Sequence, residues 1–80
     1  MYYVYLIRSL RDSTKTYVGY TSDLEQRLQK HNEGASVYTA DFRPWKLVAC
    51  ISLDTEAKAI QFEKYLKSGS GYAFAEKRLW

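Results

Sequence analysis

Two apolar runs near the amino terminus constrain the fold more than any other feature of the chain. Residues 2–7 read YYVYLI and residues 16–20 read TYVGY, both dense in aromatic and β-branched side chains. Such residues lose rotamer freedom in a helix and pack well on a pleated surface, so each run predicts a strand. The unbroken apolar character of the first run suits a strand covered on both faces. Polar residues from Arg8 to Lys15 separate the runs. They predict an antiparallel hairpin whose loop lies near Arg11, Asp12 and Ser13, which places Tyr5 opposite Tyr17 or its neighbour.

Downstream, Ser22-Asp23-Leu24-Glu25 has the S-x-x-E spacing of a capping box, which predicts a helix start at Ser22. Leu24, Arg27, Leu28 and His31 follow at steps of three and four, and Asn32 to Gly34 supplies the stop. Ala35 to Pro44 has no periodicity and reads as a loop carrying Tyr38 and Arg43. Trp45 to Leu53 (WKLVACISL) predicts a third strand, and Asp54 or Thr55 then caps a helix over Glu56 to Lys67. On that helix Ala59, Phe62 and Leu66 mark the buried stripe, with Glu63 at its border. Ser68 to Gly71 (SGSG) predicts a break, and Tyr72 to Trp80 a last short helix with a basic end. The expected architecture is α+β, in the order β-β-α-β-α-α. A three-stranded antiparallel sheet is flanked by helices, and residues 1–80 form a single domain.

A chain of 80 residues buries only about 60–65% of the surface it exposes when unfolded, so large side chains must supply the core. Eight tyrosines exceed what packing requires, and each buried hydroxyl needs a partner, which points to a wet cleft. Cys50, the only cysteine, excludes an internal disulfide or a cysteine-based zinc site, and a reducing setting fits. No leader pattern and no run near 18 apolar residues is present, so the expectation is a soluble, cytoplasmic protein without membrane contact. The net charge of +3 is a mild bias toward polyanions.

Tyr3-Val4-Tyr5 and Tyr17-Val18-Gly19 resemble the two halves of the GIY-YIG nuclease signature, with Tyr3 where the signature has glycine. The family is also marked by an arginine ten residues after the second-motif tyrosine and by a tyrosine or histidine one turn later. Those positions hold Arg27 and His31. A glutamate on a later helix serves the family as metal ligand, and Glu63 in Phe62-Glu63-Lys64 is similar to it. The likeness covers nearly the whole chain and is strongest to the small single-domain bacterial members. It implies an endonuclease, a hydrolase of DNA phosphodiester bonds that uses magnesium or manganese.

Those residue types suit that chemistry. A hard divalent cation keeps several waters, so one carboxylate, Glu63, together with a substrate phosphate can hold it. Arg27 offers a planar fork of donors that stays charged and matches phosphoryl oxygens. On adjacent strands Tyr5 and Tyr17, if directly opposed, have Cβ atoms roughly 4.5–5.5 Å apart and can reach one water. A phenol with an ordinary pKa of about 10 is a poor base at neutral pH unless a cation favours its anion. His31, ordinarily near 6.5, is an alternative. Tyr5, Tyr17 and His31 therefore all stand as candidate proton acceptors. Tyr20, Arg43, Lys64 and Lys67 are candidates for contact with a nucleic-acid backbone, and Gly19 for a structural role.

The expected partner is DNA, with branched or damaged forms included, and the oligomeric state is either a monomer or a weak dimer. A catalytically weak or silent nucleic-acid-binding or structure-sensing module is the alternative, because many members carry an asparagine after the glutamate helix and none follows Asn32 here. Exposure of Trp45 or Trp80 would favour a protein-partner surface.

Overall fold

In the computed structural model, which describes residues 1–80, strand β1 (Tyr2–Ser9) is central. It pairs antiparallel with β2 (Thr16–Thr21) on one side and with β3 (Trp45–Leu53) on the other. The unbroken apolar run explains that position. Val4, Tyr5, Leu6 and Ile7 are all fully buried, and side chains alternate between the two sheet faces. Val4 and Leu6 pack with Ala59, Leu66 and Ala75, whereas Tyr5 and Ile7 pack with Trp45. Each such aliphatic side chain stabilises the fold by about 1.5–3 kcal/mol relative to exposure.

Helix α1 (Leu24–Asn32) supports the Tyr5 face through Leu24 and Leu28, and helices α2 (Glu56–Lys67) and α3 (Gly69–Arg78) cover the other. The α+β class and the element order are those the sequence predicts. A short 3-10 turn, Ala40–Phe42, lies inside the segment read as a loop.

Helix boundaries differ in two places. Asp23, not Ser22, caps α1, its Oδ1 accepting from the Gln26 amide at 3.0 Å. The Thr21 hydroxyl accepts from the Asp23 amide at 3.1 Å, and this local turn delays the helix by one residue. Thr55 caps α2 by accepting from Lys58 N–H, which decides between the two candidates there.

The second difference concerns the SGSG segment, where the expected break is confined to Ser68. Ser68 ends α2 with its amide donating to the Tyr65 carbonyl, and its hydroxyl caps α3 by accepting from the Gly71 amide. Helix α3 therefore starts at Gly69 instead of Tyr72. Gly71 is required for a packing reason. A Cβ there would overlap the Tyr65 carbonyl, so α2 and α3 approach more closely than any side chain permits.

No helix is long and apolar enough to cross a membrane. Trp45 is buried, with its indole N–H donating to the Thr39 carbonyl at 2.8 Å, and so offers no partner surface. Trp80 is half-buried against the α2–α3 core.

Candidate active site

Strand register decides how the two motif tyrosines meet. Arg8 pairs with Thr16 and the Ser9 amide donates to Lys15 O, so the hairpin loop closes with Tyr5 opposite Gly19 and Ile7 opposite Tyr17. Tyr5 and Tyr17 are therefore diagonal neighbours on one face, not directly opposed, with ring centroids 6.4 Å apart. The Tyr5 ring lies across Gly19, where a Cβ would stand 2.5 Å from the Tyr5 hydroxyl and 3.1 Å from the Tyr17 ring. Gly19 is thus required by close approach of a side chain rather than by a strand bend.

Behind Tyr5 a buried polar chain runs inward. Its hydroxyl is 2.9 Å from His31 Nε2, and His31 Nδ1 is 2.7 Å from the Thr39 hydroxyl. His31 and Thr39 are 1% and 0% exposed, so these hydrogen bonds replace water entirely. Burial, then the Tyr17 hydroxyl, push the Tyr5 pKa up to about 12, with Arg27 working in the opposite direction. Burial and the nearby Arg27 charge hold His31 below its ordinary 6.5.

That lowered value has a consequence for stability. Below pH 6.5 the unfolded chain takes up a proton at His31 that the folded chain refuses, so this contribution is present above 6.5 and is lost as pH falls through the folded value. Urea unfolding between pH 7 and 5 should show stability falling, with a slope of at most about 1.4 kcal/mol per pH unit from this one proton. His31→Gln should flatten the slope over that window. A slope unchanged by the substitution would remove His31 as its cause.

In front of Tyr5 the chain forms a cleft of about 360 Å³ at the edge strand β2, where elements from both sheet faces meet. Tyr5, Tyr17 and Gly19 of the hairpin, Arg27 of α1 and Glu63 and Lys67 of α2 all line it. Glu63 is 20% exposed in its side chain, and its Oε1 accepts from Lys67 Nζ at 2.9 Å. The same Nζ lies 5.7 Å from the Tyr17 ring centroid, which places one cation beside both a carboxylate and a phenol.

The remaining candidates divide. Tyr20 also lines the cleft. His31 does not; it lies behind the two cleft tyrosines, hydrogen-bonded to Tyr5 and with its ring centroid 5.2 Å from that of Tyr17. Arg43 lies elsewhere, over Gly34 and within reach of the Glu33 carbonyl, and Lys64 is exposed outside the cleft.

Several residues that the sequence reading did not assign to the site belong to this region, with Tyr2, Thr21 and Ser22 lining the cleft beside Glu56, and Thr39 behind it. Glu56 lines the cleft, and its spacing of seven from Glu63 on α2 was a usable signal. Thr39 had no local signal, because its role depends on how the irregular segment after α1 folds back onto His31.

No group of three or more histidine, cysteine, aspartate or glutamate side chains converges anywhere in the chain. Glu56 and Glu63 are two helical turns apart, about 10.5 Å along the axis. The donor set therefore does not fit a closed zinc centre. It fits a hard divalent cation held by Glu63 and completed by water and a substrate phosphate.

Comparison with known proteins bears on the family and the fold. The family model described as GIY-YIG catalytic domain matches residues 1–73. The UPF0213 protein YazA of Bacillus subtilis is 42% identical over 52 residues, covering 64% of this chain and 52% of that protein. The structure-specific endonuclease subunit SLX1 of Malassezia globosa is 36% identical over 67 residues, covering 79% of this chain and 15% of the subunit. This chain thus spans about half the length of the Bacillus subtilis relative. The solution NMR structure of the UPF0213 protein BH0048 from Bacillus halodurans superposes with a TM-score of 0.56 at 30% identity, covering 96% of this chain and 84% of that one. On the family match, the likeness of fold and the matching motif positions, the chain belongs to the GIY-YIG catalytic domain family.

Proposed function

We propose that residues 1–80 act as one catalytic domain, a divalent-metal-dependent endonuclease that hydrolyses a DNA phosphodiester. The observation that carries this reading is the shared cleft, in which two phenols, a guanidinium and a carboxylate from four separate elements face one space. Glu63 would hold magnesium or manganese, and the bound ion would supply positive charge to the phosphoryl group. Lys67 Nζ already lies 2.9 Å from that carboxylate.

Arg27 is exposed at the cleft and neutralises charge developing on the phosphoryl oxygens. Tyr5, with its pKa pushed up to about 12, works as a phenol and not as a standing phenolate. Its oxygen accepts the proton of the attacking water while its own O–H donates to His31 Nε2. This relay uses the tautomer in which His31 Nδ1–H donates to the Thr39 hydroxyl, 2.7 Å away, leaving Nε2 to accept. A histidine kept neutral before the reaction is the form able to receive that proton, and the lowered His31 pKa keeps it so. Tyr17, half-buried on the cleft wall, orients the water, and Lys67 and Tyr20 contact the backbone.

Branched DNA is the first substrate to try, because one relative is named a structure-specific endonuclease subunit. The expected setting is the cytoplasm. Incubation of purified chain with flapped and four-way DNAs should give cleavage in magnesium or manganese and none in a chelator. Binding without cleavage in either metal would replace this reading with that of a silent structure-sensing module.

A further inference from the structure

The two edges of the sheet are finished differently. Strand β2 borders the cleft, whereas β3 has β1 on one side and no further strand on the other. Soluble proteins blunt such an open edge with charges, prolines or bulges, because its free backbone groups are a template for another strand. Residues 47–53 of β3 read LVACISL, without a charge, a proline or a glycine. One bulge is present, since Leu6 pairs with Ala49 and Ile7 with Leu47, which leaves Val48 as the extra residue. Beyond it Ala49 to Leu53 keep a regular register against β1.

The surface beside this edge is apolar. Helix α2 packs more closely on β1 and β2 than on β3. That leaves a hollow of about 330 Å³, lined by Ile51 and Leu53 of β3 and by Lys58, Gln61, Phe62 and Tyr65 of α2. Tyr65 is 41% exposed, and its ring centroid lies 6.2 Å from that of Phe74, so the apolar surface continues onto α3. On α2 the hollow's residues lie about half a turn round the helix from Glu56, Glu63 and Lys67. The open edge therefore faces away from the cleft.

The strand best matched to this edge is the same strand of a second copy. Antiparallel pairing about Ile51 sets Ala49 against Leu53, and Cys50 against Ser52, of the other copy. Opposed residues share a sheet face, and Ala49, Ile51 and Leu53 lie on the α2 side while Cys50 and Ser52 lie on the other. Apolar side chains thus meet apolar ones, and small polar ones meet their like. Any other centre draws the bulge at Val48 or the bend after Leu53 into the pairing. Charge agrees with this alignment. Exposed Lys46 precedes the paired segment and exposed Asp54 follows it, so antiparallel copies bring opposite signs together at both ends, whereas parallel copies bring like to like. We infer that β3 is the interface of a two-fold dimer of this chain, in which the two sheets join edge to edge and both clefts stay open. The inference does not depend on the nuclease reading.

Sedimentation equilibrium over a series from micromolar to millimolar protein tests it without DNA or metal. The mass should rise from that of one chain to that of two. Ser52→Lys puts a charge on the edge at an exposed position, and should weaken association by about tenfold while leaving the circular-dichroism spectrum unchanged. Disulfide trapping then reads the register. Opposed residues have Cα atoms about 4.5–5.5 Å apart, within reach of a disulfide, so Ser52→Cys should link to Cys50 of the second copy. The oxidant is diamide, which takes up the two electrons and two protons released. In the wild type the two Cys50 residues stand on the diagonal, about 7–8 Å apart, and should link far more slowly. A mass that stays at one chain throughout, association unmoved by Ser52→Lys, or Ser52→Cys linking no faster than wild type would overturn the inference.

Discussion

Replacing Arg27 with alanine is expected to slow metal-dependent DNA cleavage by about 10³-fold or more, the scale on which a phosphoryl-stabilising arginine acts. The side chain is exposed on α1 and forms no salt bridge, so its loss removes little that holds the fold together. Thermal unfolding should accordingly shift by no more than a surface substitution would cause, about 0.5 kcal/mol. Arg27→Lys keeps the charge but loses the planar fork, and should recover only part of the rate. Single-turnover assays separate these effects from DNA binding. An Arg27→Ala rate within a few-fold of wild type would assign phosphoryl stabilisation to some other group.

Gly19→Ala should damage both stability and activity, because the position fails for a reason local to the site. The added methyl would stand 2.5 Å from the Tyr5 hydroxyl and 2.7 Å from the ring carbon that bears it. Tyr5 cannot swing away, being fully buried and hydrogen-bonded to His31. Either β1 and β2 separate locally or Tyr5 leaves His31. Overpacking of this kind costs about 1–3 kcal/mol, measurable as a lowered urea midpoint. A displacement of about 1 Å at a reacting group costs roughly 10²-fold in rate, the loss expected here at temperatures where the variant stays folded. In a Tyr5→Leu background the same glycine substitution should cost far less stability, and that double-mutant cycle isolates the contact. Additive losses would mean that Gly19 acts through backbone conformation instead.

Much of the fold was legible because hydrophobic pattern and position agree. The run YYVYLI reads as a strand covered on both faces, and Val4, Tyr5, Leu6 and Ile7 are indeed buried on both. The α2 boundaries followed from Thr55 and the Ala59, Phe62, Leu66 stripe. Register was less legible, since closure of the hairpin loop sets it and composition alone did not separate Tyr5 facing Tyr17 from Tyr5 facing a neighbour. The start of α3 was misplaced for a related reason. Gly69 and Gly71 read as helix breakers, whereas Gly71 permits a contact between two helices that no local pattern encodes.

The site divides along the same line. Arg27 and His31 occupy one helical stripe, yet Arg27 faces the cleft and His31 is sealed behind Tyr5. Thr39 became visible only once the irregular segment between α1 and β3 was placed, with its hydroxyl on His31 and its carbonyl on Trp45. Arg43 looked as available as Lys67 in sequence, but its side chain extends over Gly34 at φ +81°, away from the cleft.

The most direct measurement is cleavage of branched DNA in magnesium by wild type and Glu63→Gln purified in parallel, with binding and melting recorded for both. Wild type should cut, while the glutamine variant should bind the same DNA, melt close to wild type and cut at least about a hundredfold more slowly. Equal cleavage by the two proteins would contradict the assignment of hydrolysis to this cleft.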